Sequence, residues 1–212
     1  MRTPEPDPIA ARRVQMVDAR AATPVVQRTY LAPSYTTAEP GEAEALEVLA
    51  QVLGGGATSR IYRALVVESE QAAAAGAGYS GDGLDSGTFY VYAVPAAGVE
   101  VDTVESEFDA VLADVIADGV TQEELERARS RLIASTVYAL DSQGQLARMF
   151  GVALTNGRTV EDVVNWTDRI EAVTGEDVQA AAREVLAIER SVTGILLPEV
   201  PQRAAATTDT QN

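Results

Sequence analysis

Residues 42–70 read EAEALEVLAQVLGGGATSRIYRALVVESE, and this stretch decides the fold. Leucines recur at helical spacing over residues 42–53, so this part is predicted to form a helix with an apolar face. The glycines at 54–56 end that helix, and a second helix is predicted over about residues 57–70. A glycine run could also cradle a phosphate, but this run follows a helix and lacks the lysine of a phosphate-binding loop. We therefore interpret the glycines as a break between two helices.

Strand candidates lie on both sides of this helical pair. Residues 12–18 and 25–33 precede it, and residues 88–94 (TFYVYAV) follow it with bulky or β-branched side chains on both faces. The preceding segment 80–87, SGDGLDSG, is rich in residues that tolerate positive φ, which predicts a hairpin connection. A last strand is predicted at residues 190–197.

Helical signals fill the segment between the hairpin and the last strand. An apolar stripe over residues 104–116 predicts one helix, and Thr121 with Glu124 has the spacing of a capping box that opens the next. That helix is predicted to run past Leu140, with a break near Gly144. Two more start signals of this kind follow, at Thr159 with Asp162 and at Thr174 with Asp177. The order of elements indicates an α+β fold in which helices pack on a sheet.

The composition excludes several kinds of chemistry. The chain has 212 residues with no histidine and no cysteine, and all 16 basic residues are arginine, against 32 acidic residues. Histidine-dependent and thiolate catalysis, and zinc held by histidine, therefore have no side chains to carry them. With a net charge of −16, the chain is expected to bind neither nucleic acid nor an anionic membrane. No apolar run is long enough for a membrane span.

Arg60 and Arg63 with Tyr62 and Tyr79 form the best polar group for a binding role. Arginine and tyrosine can both donate a hydrogen bond to a peptide carbonyl or to a developing oxyanion. The alternative is that the two arginines pair with local carboxylates while the tyrosines pack against their neighbours.

The acidic residues offer no comparable site. Asp82 and Asp85 supply too few ligands for a calcium-binding loop, and Glu123 is spaced to pair with Arg127 along a solvated helix face. Taken alone, the residues predict no catalytic constellation and no metal site.

Several segments carry a further signal: TYLAPS at 29–34, ALEVLAQVLGGGATSRIYRALV at 45–66, GTFYVYA at 87–93 and DGVTQEELERARSRL at 118–132. In this order and spacing the chain resembles the C-terminal, non-zinc half-domain of pitrilysin/insulinase-type zinc metallopeptidases, a family that includes the mitochondrial processing peptidase. The resemblance covers roughly residues 12–198.

This resemblance implies a mixed, mostly antiparallel sheet with helices packed on one face, in one of two halves that close like a clamshell around a peptide. The zinc-bearing N-terminal half of such enzymes carries the motif H-x-x-E-H, which a chain without histidine lacks. No cofactor is therefore expected in this chain, and zinc is expected in the partner half. The implied partners are a zinc-bearing half or subunit and an extended peptide substrate.

The resemblance also implies the place of an Arg/Tyr pair that steadies the substrate carbonyl, within a pattern like L-R-E-K-x-G-L-A-Y-S. An ungapped alignment on Leu65 puts Val66 at the arginine position and Ala73 at the tyrosine position. Either the nearby Arg63 or Tyr79 substitutes as a substrate-binding residue, or this half is a chamber wall without direct catalytic assistance. A one-turn offset would re-aim a guanidinium by several ångströms, which favours the wall.

The predicted organisation is a peptidase-like half-domain at residues 12–198, between disordered or linker residues 1–11 and a disordered tail at 199–212. The chain alone is expected to be inactive and to close the chamber opposite a zinc-bearing half. The alternative function is a structural or assembly subunit of the same fold with no proteolytic role. The compartment is expected to be periplasmic or exported if the chain is part of a longer bacterial precursor, and cytoplasmic otherwise.

Overall fold

The computed structural model describes residues 8–199. Its strands are β1 (Arg12–Asp18), β2 (Val25–Ala32), β3 (Ala72–Ser80), β4 (Gly87–Pro95) and β5 (Ser191–Pro198). They form one sheet in the order β1-β5-β2-β4-β3, in which β1 and β5 run parallel and the other neighbours run antiparallel. The predicted α+β fold with a mixed, mostly antiparallel sheet is confirmed. The predicted tails at 1–11 and 199–212 lie, except for residues 8–11 and 199, outside the described residues.

Helices cover one face of this sheet. They are α1 (Glu42–Gly54), α2 (Arg60–Tyr62), α3 (Val101–Asp118), α4 (Gln122–Leu140), α5 (Gln143–Thr155), α6 (Val160–Val164), α7 (Trp166–Ala172) and α8 (Gly175–Val185), with a π-helical segment at Arg63–Glu68. Helix α1 lies against β3, and α4 and α8 pack beside it. The order confirms that the glycine run after residue 53 ends a helix: Gly54 closes α1, and Gly55 caps it by donating to the Gln51 carbonyl.

The core fills the space between the helices and the sheet. Along β2, Val26, Arg28, Tyr30 and Ala32 are buried while the residues between them are more exposed, which is the period of a strand covered on one face. Strand β4 alternates in the same way. Strands β2 and β4 therefore have one packed face and one open face, whereas the edge strand β1 is exposed on both faces.

Three helices begin at the threonines that the sequence indicates. At Thr121, Thr159 and Thr174 the hydroxyl accepts a hydrogen bond from the backbone N–H three residues later, and the acidic side chain there reaches back to the threonine N–H. These reciprocal bonds satisfy amides that the first helical turn leaves free. All three predicted capping boxes are confirmed.

Two helices differ from their predicted course. The helix expected from about residue 57 begins at Arg60, because Gly56 has a positive φ and Ser59 donates its N–H to the Gly56 carbonyl in a turn. The break expected near Gly144 lies two residues earlier, since the Ser142 hydroxyl accepts from the Gln145 N–H and caps α5. Gly144 itself is helical.

A buried charge network joins the strands to helix α3. The Arg28 side chain, 4% exposed, donates from Nη2 to Glu105 Oε1 at 2.6 Å and from Nε to Thr193 Oγ1 at 3.0 Å. Asp109 accepts a further hydrogen bond from the same guanidinium. Arg13 of β1 donates to the second oxygen of Glu105. One carboxylate thus links β1 and β2 to α3.

Candidate functional site

The open face of the sheet carries few charged side chains. Strand register aligns the outward side chains across all five strands, and the charged outward residues of these strands are Arg12 and Asp18, at the two ends of the edge strand β1. The uncharged outward residues of the described strands include Val14, Met16, Val25, Gln27, Thr29, Leu31, Gly76, Gly78, Thr88, Tyr90, Tyr92, Val94, Val192, Gly194 and Leu196. Such a face is unusual in a chain with a net charge of −16.

Two tyrosines and two glycines shape the β3–β4 side of this face. A Cβ on Gly78 would lie 2.5 Å from the Tyr90 ring, and a Cβ on Gly76 would lie 3.1 Å from the Tyr92 ring. Each tyrosine ring therefore leans over a glycine on the neighbouring strand, as the pairing of Gly78 with Tyr90 and Gly76 with Tyr92 permits. Rings lying flat on the sheet leave a smooth surface.

Arg63 and Tyr79, the sequence-predicted substrate-binding residues, have separate local partners. Arg63 Nη2 donates to Glu68 Oε1 at 2.9 Å, and both side chains are largely exposed. The Tyr79 hydroxyl donates to the Pro33 carbonyl at 2.6 Å, and the ring packs against the core beneath the helices. Burial, with the acidic residues of α1 nearby, raises the pKa of Tyr79. Their role in peptide binding stays a prediction.

Arg60 follows the alternative interpretation, in which the arginines pair with local carboxylates. Its Nε and Nη2 atoms donate to the two oxygens of Glu124, each at 2.7 Å, and Nη2 also donates to the Gly119 carbonyl at 3.0 Å. The predicted pair of Arg127 with Glu123 forms as well, at 3.2 Å. The Arg60 pair ties α2 to the start of α4.

Because of the Arg60–Glu124 pair, the free energy of unfolding is expected to depend on pH in the acidic range. Hydrogen bonding from Arg60 lowers the pKa of Glu124 from 4.5 to about 2. A carboxyl whose pKa is depressed by folding stabilises the fold above its unfolded pKa, and that contribution is lost as pH falls through the folded pKa. Glu124→Gln, which keeps a capping side chain, should therefore flatten the decline of the unfolding free energy between pH 4.5 and about 2. Urea denaturation over this pH range measures it, and an unchanged slope would contradict the assignment.

Backbone geometry supports the alignment that leaves Val66 and Ala73 in place of an Arg/Tyr pair. In the pattern L-R-E-K-x-G-L-A-Y-S, the glycine falls on Glu70, and Glu70 has a φ of 56°, the conformation that favours glycine. Val66 lies in the π-helical segment and packs partly against the core, while Ala73 is exposed at an irregularity of the edge strand β3. No guanidinium or phenol is therefore present at either position.

A cavity in the helical layer was not predicted from the sequence. Glu47 of α1, Tyr35 after β2 and Trp166 of α7 line this cavity, which has a volume of about 460 Å³. The only sequence signal is an acidic residue between the buried Leu46 and Val48. The other residues that line the cavity are far apart in the sequence, so the sequence gives no indication that they meet.

Whether the chain can hold a metal ion depends on the residue types that it contains. Among residues 8–199, no group of three or more acidic side chains is arranged to hold a metal ion, and the chain has neither histidine nor cysteine. The residues present therefore do not fit the zinc site of an H-x-x-E-H enzyme. Within the same described range, no helix has the length and apolar character needed to cross a bilayer.

Comparison with known proteins identifies the family. Residues 2–132 match the family model described as the peptidase M16 inactive domain. An uncharacterized zinc protease of Streptomyces coelicolor is 34% identical over 142 residues, covering 67% of this chain and 30% of that protein. An uncharacterized zinc protease of Mycobacterium tuberculosis is 35% identical over 149 residues, with 67% of this chain and 32% of the relative covered. The match thus spans about a third of the length of these relatives.

Solved structures show the same fold. A protease from Helicobacter pylori has a TM-score of 0.84 at 21% identity, with 93% of this chain and 46% of that chain covered. The inactive peptidase domain of a protein described as a zinc protease, from Bordetella parapertussis, has a TM-score of 0.76 at 26% identity and covers 87% of this chain and 97% of its own. The order of elements, the missing zinc motif and these matches agree: the chain belongs to the peptidase M16 family and is an inactive domain of zinc protease-like proteins.

Proposed function

We propose that this chain is the non-catalytic half of a zinc metalloendopeptidase and closes a peptide-binding chamber opposite a zinc-bearing half. The observation that carries the proposal is the open face of the sheet, where β2 to β5 have no charged outward side chain and the charged residues lie at the ends of β1. Covering a charged side chain costs several kilocalories per mole unless a partner neutralises it, so a face with few charges is the one that another protein surface covers at least cost.

The distribution of charge supports this choice of face. With 32 acidic residues in the chain, an area of four strands, β2 to β5, without a charged outward side chain is not expected from composition alone. Val14, Met16 and Val192 lie on it with 60%, 55% and 42% of their surface exposed. Exposed apolar side chains grouped on one face are typical of a binding surface.

Val66 and Ala73 support a wall rather than a catalytic assistant. An Arg/Tyr pair would supply hydrogen bonds to the substrate carbonyl, and neither valine nor alanine can donate one. The proposed contribution is therefore to enclose an extended peptide and exclude water, while zinc and the water-activating glutamate come from the other half.

A charge placed on the open face tests the proposal. We expect Val192→Lys to reduce co-purification with a zinc-bearing half, co-expressed as the upstream part of the same protein or as a separate subunit, by about tenfold or more, because the lysine would be buried without a partner. The measurement is the amount of zinc-bearing half retained on a tagged chain, together with peptide hydrolysis by the complex.

Val160→Lys is the matched control, since Val160 is 52% exposed but lies on helix α6, away from the sheet face. It should leave co-purification unchanged, and circular dichroism should show both variants folded. Equal retention for the two variants would place the contact elsewhere. Retention without any peptide hydrolysis would favour the alternative, a structural or assembly subunit of the same fold.

A further inference from the structure

The cavity in the helical layer is lined by residues of five helices, α1 and α4 to α7, and of three connecting segments. Its volume is about 460 Å³, the size of a site for a single side chain or small ligand. Met149 and Val152 of α5, Val163 of α6 and Trp166 of α7 form apolar walls, and Glu47 of α1 contributes a carboxylate. The cavity therefore combines apolar walls with four charged side chains, the acidic Glu47 and Asp82 and the basic Arg148 and Arg158.

An aromatic pair and an ion pair hold its walls in place. Trp166 Nε1 donates to the Tyr35 hydroxyl at 2.7 Å, and the Arg158 guanidinium lies 4.0 Å from the centre of the Tyr35 ring. Arg158 also pairs with Asp82 at 3.2 Å. These contacts fix the two aromatic rings before any ligand arrives, and they occupy the charge of Arg158.

The charges that face Glu47 come from several elements. Asp82 lies on the hairpin connection, Glu44 on the same helix, and Arg158 on the α5–α6 connection. Asp82 and Arg158 form an ion pair with each other, and Glu44 is paired with Arg169 at 2.6 Å.

Arg148 of α5 also lines the cavity, but its side chain is exposed, so solvent screens its charge more than that of the inner carboxylate. The charge inside the cavity that is left without a basic partner among the described side chains is Glu47.

We infer that this cavity binds an arginine side chain of a peptide, with the aliphatic stem between the apolar walls and the guanidinium on the Glu47 carboxylate. Arginine suits such a site because its stem is apolar and its planar head forms paired hydrogen bonds with a carboxylate. The net charge of −16 also favours encounter with basic segments over acidic ones. The cavity lies in the helical layer, so the inference does not depend on what covers the open face of the sheet.

Binding is expected to weaken in acid. Burial raises the pKa of the Glu47 carboxyl to about 7, reinforced by Asp82 and Glu44 and opposed by a hydrogen bond from Tyr35 and by Arg158. An arginine binds the ionised carboxylate, so affinity should rise with pH up to the pKa and level off above it. Affinity at pH 8 is expected to exceed that at pH 6 by about tenfold.

Trp166 makes the test direct because it is the single tryptophan of the chain and lines the cavity. The experiment titrates the complete chain with N-acetyl-arginine amide, or with the same compound built on citrulline, and follows tryptophan fluorescence at constant ionic strength. Citrulline has nearly the same shape without the charge. We expect a saturable change with the arginine compound, and binding of the citrulline compound about tenfold weaker.

Two variants separate the proposed site from general charge effects. Glu47→Gln should weaken arginine binding about tenfold and remove its pH dependence. Glu171→Gln removes one negative charge from an exposed position of α7 and should change neither. Equal binding of the two compounds, equal losses in the two variants, or no saturable fluorescence change would overturn the inference. The pH dependence of the unaltered chain provides a readout that needs no variant to fold.

Discussion

Replacing Arg28 with methionine is expected to lower the free energy of unfolding by about 3–5 kcal/mol, as measured by urea denaturation. Methionine keeps much of the side-chain volume but removes the guanidinium. Glu105, whose side chain is 11% exposed, would then keep only its contact with Arg13, and Thr193 would lose its buried donor. A carboxylate left buried without a partner costs far more free energy than an exposed ion pair contributes. The loss in the free energy of unfolding should therefore approach the total stability of many domains.

Arg127→Met is the control for this prediction. Arg127 pairs with Glu123 at 3.2 Å, but the glutamate is 89% exposed, so the pair lies in water. Its loss should change the unfolding free energy by about 0.5 kcal/mol or less. Similar losses for the two variants would show that the Arg28 network does not hold β1 and β2 to α3 in the way described.

The substitution Gly54→Ala is expected to destabilise the chain by about 1–3 kcal/mol, because it forces helix α1 away from strand β3. A Cβ at residue 54 would lie 2.0 Å from the backbone nitrogen of Ala77 and 2.4 Å from its carbonyl oxygen. Backbone atoms cannot rotate out of the way as a flexible side chain can. Thermal or urea unfolding of the variant measures the effect.

Gly151→Ala provides the opposite case in the same type of element. Gly151 lies inside α5, and a Cβ there would meet nothing within 4 Å. Alanine should stabilise the chain by about 0.5–1 kcal/mol through its higher helix propensity. Stabilisation by both substitutions would mean that α1 does not approach β3 as closely as the structure indicates.

Local sequence signals account for much of the fold. The three Thr-x-x-Asp/Glu boxes predict helix starts because the atoms that make the capping hydrogen bonds lie within four residues of each other. The last strand has no such local signal for its buried face, since Ser191 and Thr193 are buried while Val192 is exposed. The parallel pairing of β1 with β5 joins residues about 180 positions apart, and periodicity alone contains no information about it.

The candidate sites are less visible in the sequence for the same reason. The open face depends on the order of five strands, and its low density of charged side chains emerges only when their outward residues are placed side by side. The cavity brings together Tyr35, Glu47 and Trp166, whose distance along the chain hides their contact. The π-helical segment at Arg63–Glu68 likewise has no signature in apolar spacing, because its hydrogen bonds skip one residue more than those of an α-helix.

The proposal that this chain is the non-catalytic half of a zinc metalloendopeptidase is tested by measuring peptide hydrolysis by the chain alone and by the chain together with a zinc-bearing half. The substrate is an unstructured peptide, assayed with and without a metal chelator. We expect no hydrolysis by the chain alone. The two halves together should show chelator-sensitive hydrolysis that exceeds the activity of the zinc-bearing half alone. Chelator-sensitive hydrolysis by the purified chain alone would contradict the proposal.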